Sequence, residues 1–321
     1  MKLAHGILGV SLAVSCAAVL AQAPRYPAKP VRMLVGFAPG GATDVVARYV
    51  SPGLTEGLGQ SVVIENRPGA SSIIAGELVA KSAPDGYTLM MVTQTLINAQ
   101  IMDNRPFPVL AKDFSAVSLC ATTPLVLVVN PSLPVKTLKE VLALARARPG
   151  ELNYGSGGVG TSPHMSAELM AKMANIQIVH VPYKGEAPAL MDVIAGHLPM
   201  MFSNPAAVTA QVEAGKVRAI AVTSLRPSPA VPGVPTLAES GLPGFEVLGW
   251  FGVVAPAAMP RELVDRLNAE IAKVLARPEI KEKFATQALQ PGSMSATEYG
   301  EFIKSETAKW GALIKELGLV K

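Results

Sequence analysis

"PVRMLVGFAPGGATDVVARYV" (residues 30–50) decides the fold class of this chain. An apolar run, Val31 to Phe37, breaks at a Pro39-Gly40-Gly41 turn, and an apolar-periodic segment follows with Thr43 or Asp44 as its cap. That order spells strand, tight loop, helix. The same design returns in "LNYGSGGVGTSPHMSAELM" (152–170): strand, aromatic residue, glycine-rich turn with a hydroxyl, helix start. Each copy leaves backbone N–H groups free at a helix N-terminus, where the aligned peptide dipoles favour negative charge. The chain therefore offers two anion cradles, one in each α/β unit.

Outward from the first copy, "QSVVIENRPG" (60–69) reads as a second strand, and "SSIIAGELVAKSAPDGYTLMMVTQTL" (71–96) as a helix, an Asp85-Gly86 turn and a third strand. "PLVLVVNPSLPV" (124–135) is a long apolar strand, and the next helix opens on a capping box, Thr137 with Glu140 three residues on. Past the second copy come strand (176–185), helix (187–196), strand (198–204), helix (205–215) and strand (217–224). Strands alternating with helices predict α/β units built on parallel sheets. Residues 225–244, rich in proline, read as a surface crossover, and "WFGVVAPAAMP" (250–260) leads into two or more closing helices.

Composition agrees with this class. Of 321 residues half are hydrophobic and 16% charged, which excludes disorder and suggests strands buried on both faces. The length suits about two domains. A net charge of +4 without a run of Lys and Arg argues against nucleic acid as a partner. The first residues, "MKLAHGILGVSLAVSCAAVLAQA" (1–23), place Lys2 before an apolar run from Ile7 to Leu20, with small residues at Val19 and Ala21. This reads as an export signal over residues 1–21, cleaved near Ala21, and Ala13-Val14-Ser15 suits a lipid anchor at Cys16 poorly. The mature chain keeps only Cys120, in an apolar stretch, so neither a disulfide nor a thiol metal site is expected. A soluble product outside the cytoplasm follows.

The second copy also matches other templates. Gly155, Gly157 and Gly160 fall on the G-x-G-x-x-G frame of dinucleotide loops, but the acidic residue expected about 20 positions on is His180. Thr161-Ser162-Pro163 continues the frame as a cap followed by Pro in the first turn. A turn without a ligand is the plain alternative, and the repetition of the design favours the anion cradle over it. Ser156 is not in a G-x-S-x-G elbow, and no sequence position suggests a triad around it. His164 and Glu168 are four apart, as metal ligands can be, without an evident third ligand. Hydrogen-bonded roles are expected for His164 and His180, a cap for Asp44, and core filling for Met90-Met91 and Met200-Met201. Neither cradle carries Arg or Lys, so recognition would rest on backbone N–H, hydroxyls and bridging water.

The ordered set "VVIENRPGA", "APDGYTLMM", "LNYGSGGVGTSPHM", "VPYKGEAPALMDVIAGHLPMMF" and "VPTLAESGLPGFEVLGWFGVVAP", together with the opening stretch, resembles the marker segments of the Bug family, the TctC-like solute receptors of tripartite tricarboxylate transporters. The resemblance covers nearly all of the mature chain. It implies a periplasmic, monomeric receptor of Venus-flytrap form, an α/β fold with a ligand cleft between two domains. Residues 25–123 and 248–321 would form the first domain and 124–247 the second. A small carboxylate would be held by Phe37, Ala38, Gly40, Gly41, Ala42 and Thr43 on one side, and by Ser156, Gly157, Gly158, Thr161 and Ser162 on the other. Thr93, Thr95 and Tyr183 would form side walls. The receptor would deliver its ligand to a permease with a large and a small membrane subunit, with no catalytic residue, cofactor or metal. Signalling to a partner through the same cleft and, more remotely, an NAD-dependent enzyme are the alternatives. Two departures from the family pattern stand out: "NRPFPVLAKDF" (104–114) at the cleft edge, and Ser203 where Asp is frequent. If Ser203 faces the ligand, a carboxylate partner for an ammonium group is lost, which predicts a non-amino organic acid.

Overall fold

The computed structural model describes residues 26–103 and 109–320, so the export signal and the first part of the "NRPFPVLAKDF" segment lie outside the described residues. The opening stretch forms strand β1 (Val31–Val35) and helix α1 (Ala42–Leu58), followed by β2 (Val62–Asn66), α2 (Ile73–Ala80), β3 (Thr88–Thr93), α3 (Gln94–Met102) and the single turn α4 (Leu110–Asp113). β1 lies between β2 and β3 and is parallel to both. The chain then runs through β4 (Phe114–Pro124) and passes at Leu125 into β5 (Val126–Val129), which belongs to a different sheet. There follow α5 (Leu138–Ala147), β6 (Asn153–Ser156), α6 (Ser162–Ala174), β7 (Val179–Pro182), α7 (Glu186–Ala195), β8 (Met200–Ser203), α8 (Pro205–Glu213) and β9 (Arg218–Val222). β10 (Leu248–Pro256) returns to the first sheet, and α9 (Arg261–Ala276), α10 (Pro278–Thr286), β11 (Gln290–Pro291) and α11 (Ala296–Glu316) close the chain.

Two mixed sheets result, in the orders β11-β4-β10-β3-β1-β2 and β7-β6-β8-β5-β9. The expectation of parallel sheets is corrected here. β10 is antiparallel to β3 and β4, and β5 is antiparallel to β8 and β9, because these strands flank the two crossings of the chain between sheets. Apolar runs buried on both faces carry no record of strand direction.

Each sheet is covered on both faces, which explains the unbroken apolar strands. Val31, Met33 and Val35 pack with α1 and α9, while Leu34, Met90 and Val92 pack with α2, α3 and α11. In the second sheet Leu127, Val129 and Phe202 face α5 and α6, and Val126, Val128 and Met201 face α7 and α8. The last turns of α11 place Trp310, Leu313 and Ile314 in this second core. Glu306 accepts the indole N–H of Trp310 at 2.9 Å and that of Trp250 in the first sheet at 3.0 Å. The methionine pairs and Cys120 are core, and burial pushes the Cys120 thiol up to about 12. The Thr137–Glu140 capping box is formed. The proline-rich crossover (225–244) runs mostly exposed and is anchored by the buried side chains of Val231, Leu237 and Leu242.

Thr223 stitches both chain crossings together. Its backbone N–H donates to Leu125 O at 2.9 Å and its hydroxyl accepts from Leu125 N at 2.7 Å. Its carbonyl accepts from Val247 N at 3.0 Å and its hydroxyl donates to Val247 O at 2.5 Å.

Candidate functional site

The two glycine loops come from different sheets and face each other across a cleft. Two adjoining cavities of about 240 Å³ each open there, with Ala42, Glu186, Asn204 and Phe251 common to both. Of the residues expected from sequence, Phe37, Ala42, Thr43, Thr93, Thr95, Gly157, Thr161 and Ser162 line one cavity. Gly40 and Ala42 line the other. Gly41, between Gly40 and Ala42 in the chain, lines neither cavity; it is the extended N-cap of α1, without a side-chain cap, so Thr43 and Asp44 sit inside the first turn instead of capping it.

Asp44 braces the first loop from behind. It is buried and accepts from Gly40 N at 2.9 Å, Arg48 Nε at 2.8 Å and Asn66 Nδ2 at 2.9 Å, while Asn66 also donates to Phe37 O. Burial alone would raise its carboxyl, but the Arg48 guanidinium and the N–H donors outweigh this and hold it below the ordinary range. Thr93 caps α3 by accepting from Thr95 N at 3.3 Å.

The second loop is braced by its own side chains. Ser156 is fully buried, and its hydroxyl accepts from Gly158 N, donates to Gly158 O and meets His180 Nε2 at 2.6 Å. It shapes the loop instead of lining the cavity. Gly160 N donates to His164 Nδ1 at 3.1 Å, and the Thr161 hydroxyl donates to Gly158 O. The His180 ring stacks on His164 and Tyr154, with centroids 4.0 and 5.0 Å away. Burial, reinforced by His180, pushes His164 down to about 3, and burial pushes His180 down to about 4, so both rings are neutral near neutral pH. The Ser156–His180 contact has the length of a nucleophile and base pair, but the buried serine is closed to a substrate. His164 and Glu168 stand 3.8 Å apart, and among the described residues no group of three acidic, His or Cys side chains could hold a metal ion.

Other expected residues lie outside the cavity walls. Ala38 is exposed, Gly158 is half-buried within the loop, and neither lines a cavity. Tyr183 donates to Asp192 Oδ2 at 2.5 Å, and that bond, with burial and the carboxylate's charge, pushes its phenol up to about 12. Ser203 is buried behind the wall and donates to Glu186. Ser203 therefore does not face the cavities, whereas Glu186, which it bonds, lines both, so the residue at position 203 does not bear on an ammonium group.

The sequence did not single out Glu186, Asn204, Trp250 or Phe251, which β10 and the starts of α7 and α8 bring into the walls. It also missed Gln94 and Asn98, fully buried on α3. Ser162 donates to Gln94 Oε1 at 3.0 Å and Asn98 Nδ2 donates to Gly160 O at 2.7 Å, which ties α3 to the second loop. Gln94 and Asn98 stand four apart, on one face of α3, and that spacing was the available signal. No Lys or Arg is among the wall residues, so an anion would meet backbone N–H groups, hydroxyls and helix N-termini.

Two three-layer α/β units joined by paired crossings, with a cleft between them, define the class: the Venus-flytrap fold of periplasmic solute-binding proteins. Residues 46–319 match the model of the tripartite tricarboxylate transporter family receptor, TctC, and the chain belongs to this family. It is 36% identical to the protein BugT of Bordetella pertussis over 97% of this chain and 96% of that one. It is 37% identical to Rpa4515 of R. palustris, solved with adipate, at a TM-score of 0.81 over 91% of this chain and 98% of that one. MatC (Rpa3494) of Rhodopseudomonas palustris, with bound malate, is 29% identical at a TM-score of 0.79, over 90% and 100% of the two chains.

Proposed function

We propose that this protein captures a small organic carboxylate in the cleft and hands it to a tripartite tricarboxylate-type permease, after export to the periplasm and removal of residues 1–21. The observation that carries the reading is the pairing of two glycine loops, each opening a helix N-terminus, around cavities without a cationic side chain. Bound adipate and malate in the two related structures support a carboxylate as the ligand class. Residues 25–123 and 248–321 act as one lobe and 124–247 as the other, hinged where the chain crosses at Leu125 and Val247, with the last turns of α11 packed into the second lobe's core. Ligand that touches both loops favours the closed arrangement, since only there do both contribute. The closed monomer then docks on the large and small membrane subunits. Native mass spectrometry of freshly purified protein tests this: a co-purified mass that matches an organic acid, displaced by adipate or malate, is expected. Failure of a panel of C4 to C6 acids to bind or to shift the melting temperature would overturn it.

A further inference from the structure

Glu186 is an acidic side chain in the wall of a cleft otherwise suited to anions. It is the first residue of α7 and lines both cavities together with Asn204. Its Oε1 accepts from the Ser203 hydroxyl and from Asn204 N, and its Oε2 accepts from Asn204 Nδ2 at 2.5 Å. These bonds fix the carboxylate against the start of α8. A carboxylate offers about four acceptor positions. Two are filled on Oε1 and one on Oε2, which leaves one acceptor position on Oε2. No Lys or Arg in either wall neutralises it. A ligand seated with one carboxylate on the glycine loops therefore meets, elsewhere in the cleft, a fixed group that accepts hydrogen bonds and repels a second anion.

We infer that Glu186 is a specificity-determining residue, and that the ligand is a carboxylate carrying a hydrogen-bond donor, an ammonium or a hydroxyl group, that Glu186 accepts. This rests on the reading of the cleft as a carboxylate site. Ser203 and Asn204 act as positioning residues, since they touch Glu186 and hold it in one orientation.

Calorimetric titration with succinate, L-malate and L-aspartate, three C4 acids that differ in the donor at one carbon, tests the inference. Wild-type protein is expected to bind malate or aspartate at least about tenfold more tightly than succinate, as one charge-assisted hydrogen bond implies. Glu186→Gln is expected to weaken the donor-bearing acid and strengthen succinate, so that the ratio falls below about threefold. A preference for aspartate assigns an ammonium donor, and one for malate a hydroxyl. Glu186→Asp, which keeps the charge, retains the order of preference, and the wild-type ratios stand as evidence even if Glu186→Gln does not fold. Carboxylate binding with succinate equal to or better than both partners in wild type would overturn the inference and leave the receptor reading intact. Absence of binding by any of these acids or by adipate would strike the receptor reading itself.

Discussion

Asp44 shows how one buried side chain can fix a cleft loop from behind. Its three donors hold Gly40 and, through Asn66, the carbonyl of Phe37. Because its carboxyl lies below the ordinary range when folded, its contribution is complete above the unfolded value of about 4 and is lost as pH falls through the folded value. Urea melts of Asp44→Asn are expected to show a loss of about 1–3 kcal/mol at pH 7 that closes as the pH falls below the unfolded value of about 4. The histidines titrate in a higher window. Their folded values, about 3 for His164 and about 4 for His180, lie below an unfolded value near 6.5, so their contribution is complete above about pH 6.5 and erodes as pH falls towards 4. His164→Gln, which keeps an acceptor for Gly160 N, is expected to flatten the stability profile between pH 7 and 5. An unchanged slope would contradict the burial of a neutral ring. At this scale the sequence was legible where backbone chemistry dominates: glycines, hydroxyls and a proline in the first turn of α6 marked both loops. Ser156, Tyr183 and Ser203 belong to the right segments, but their hydroxyls bond Gly158, Asp192 and Glu186. Side-chain direction inside a loop has no periodic signature.

Between elements, Thr223 carries the crossing and α3 carries the contact across the cleft. Thr223→Val keeps the shape of the side chain but leaves Leu125 N and Val247 O without the hydroxyl that serves them, both in a fully buried setting. A destabilisation of about 2 kcal/mol is expected, and Thr223→Ser should recover most of it; equal melting of Thr223→Val and wild type would contradict the stitch. Asn98→Ala removes the bond to Gly160 O and is expected to weaken ligand binding about tenfold by favouring the open arrangement, with little change in the melting temperature of the free protein. The helices and most strands were legible from periodicity and caps, as the Thr137–Glu140 box shows. The direction of β5 and β10 was not, because it depends on where the chain changes sheets, at Leu125 and after Val247. For the same reason Trp250 and Phe251, remote in sequence from both loops, reach the cavity unannounced.

Across the whole molecule, the proposed function rests on two similar loops held by different sheets and brought face to face. Either loop alone would be a polar turn; together they enclose a space in which backbone N–H groups replace cationic side chains. The two glycines most exposed to test differ in use. A Cβ on Gly157 would stand 3.2 Å from the backbone of Gly185 and Glu186, so substitution there disturbs the loop itself. A Cβ on Gly41 would meet only Ala38 O, at 3.8 Å, so substitution leaves the fold in place while adding bulk at the start of α1. Calorimetric titration of wild type and Gly41→Val with C4 to C6 carboxylates is therefore the most direct measurement. The receptor reading predicts saturable one-to-one binding in wild type and a loss of at least about tenfold in Gly41→Val at an unchanged melting temperature. Equal affinity in the two proteins, or no carboxylate binding in wild type, would contradict it.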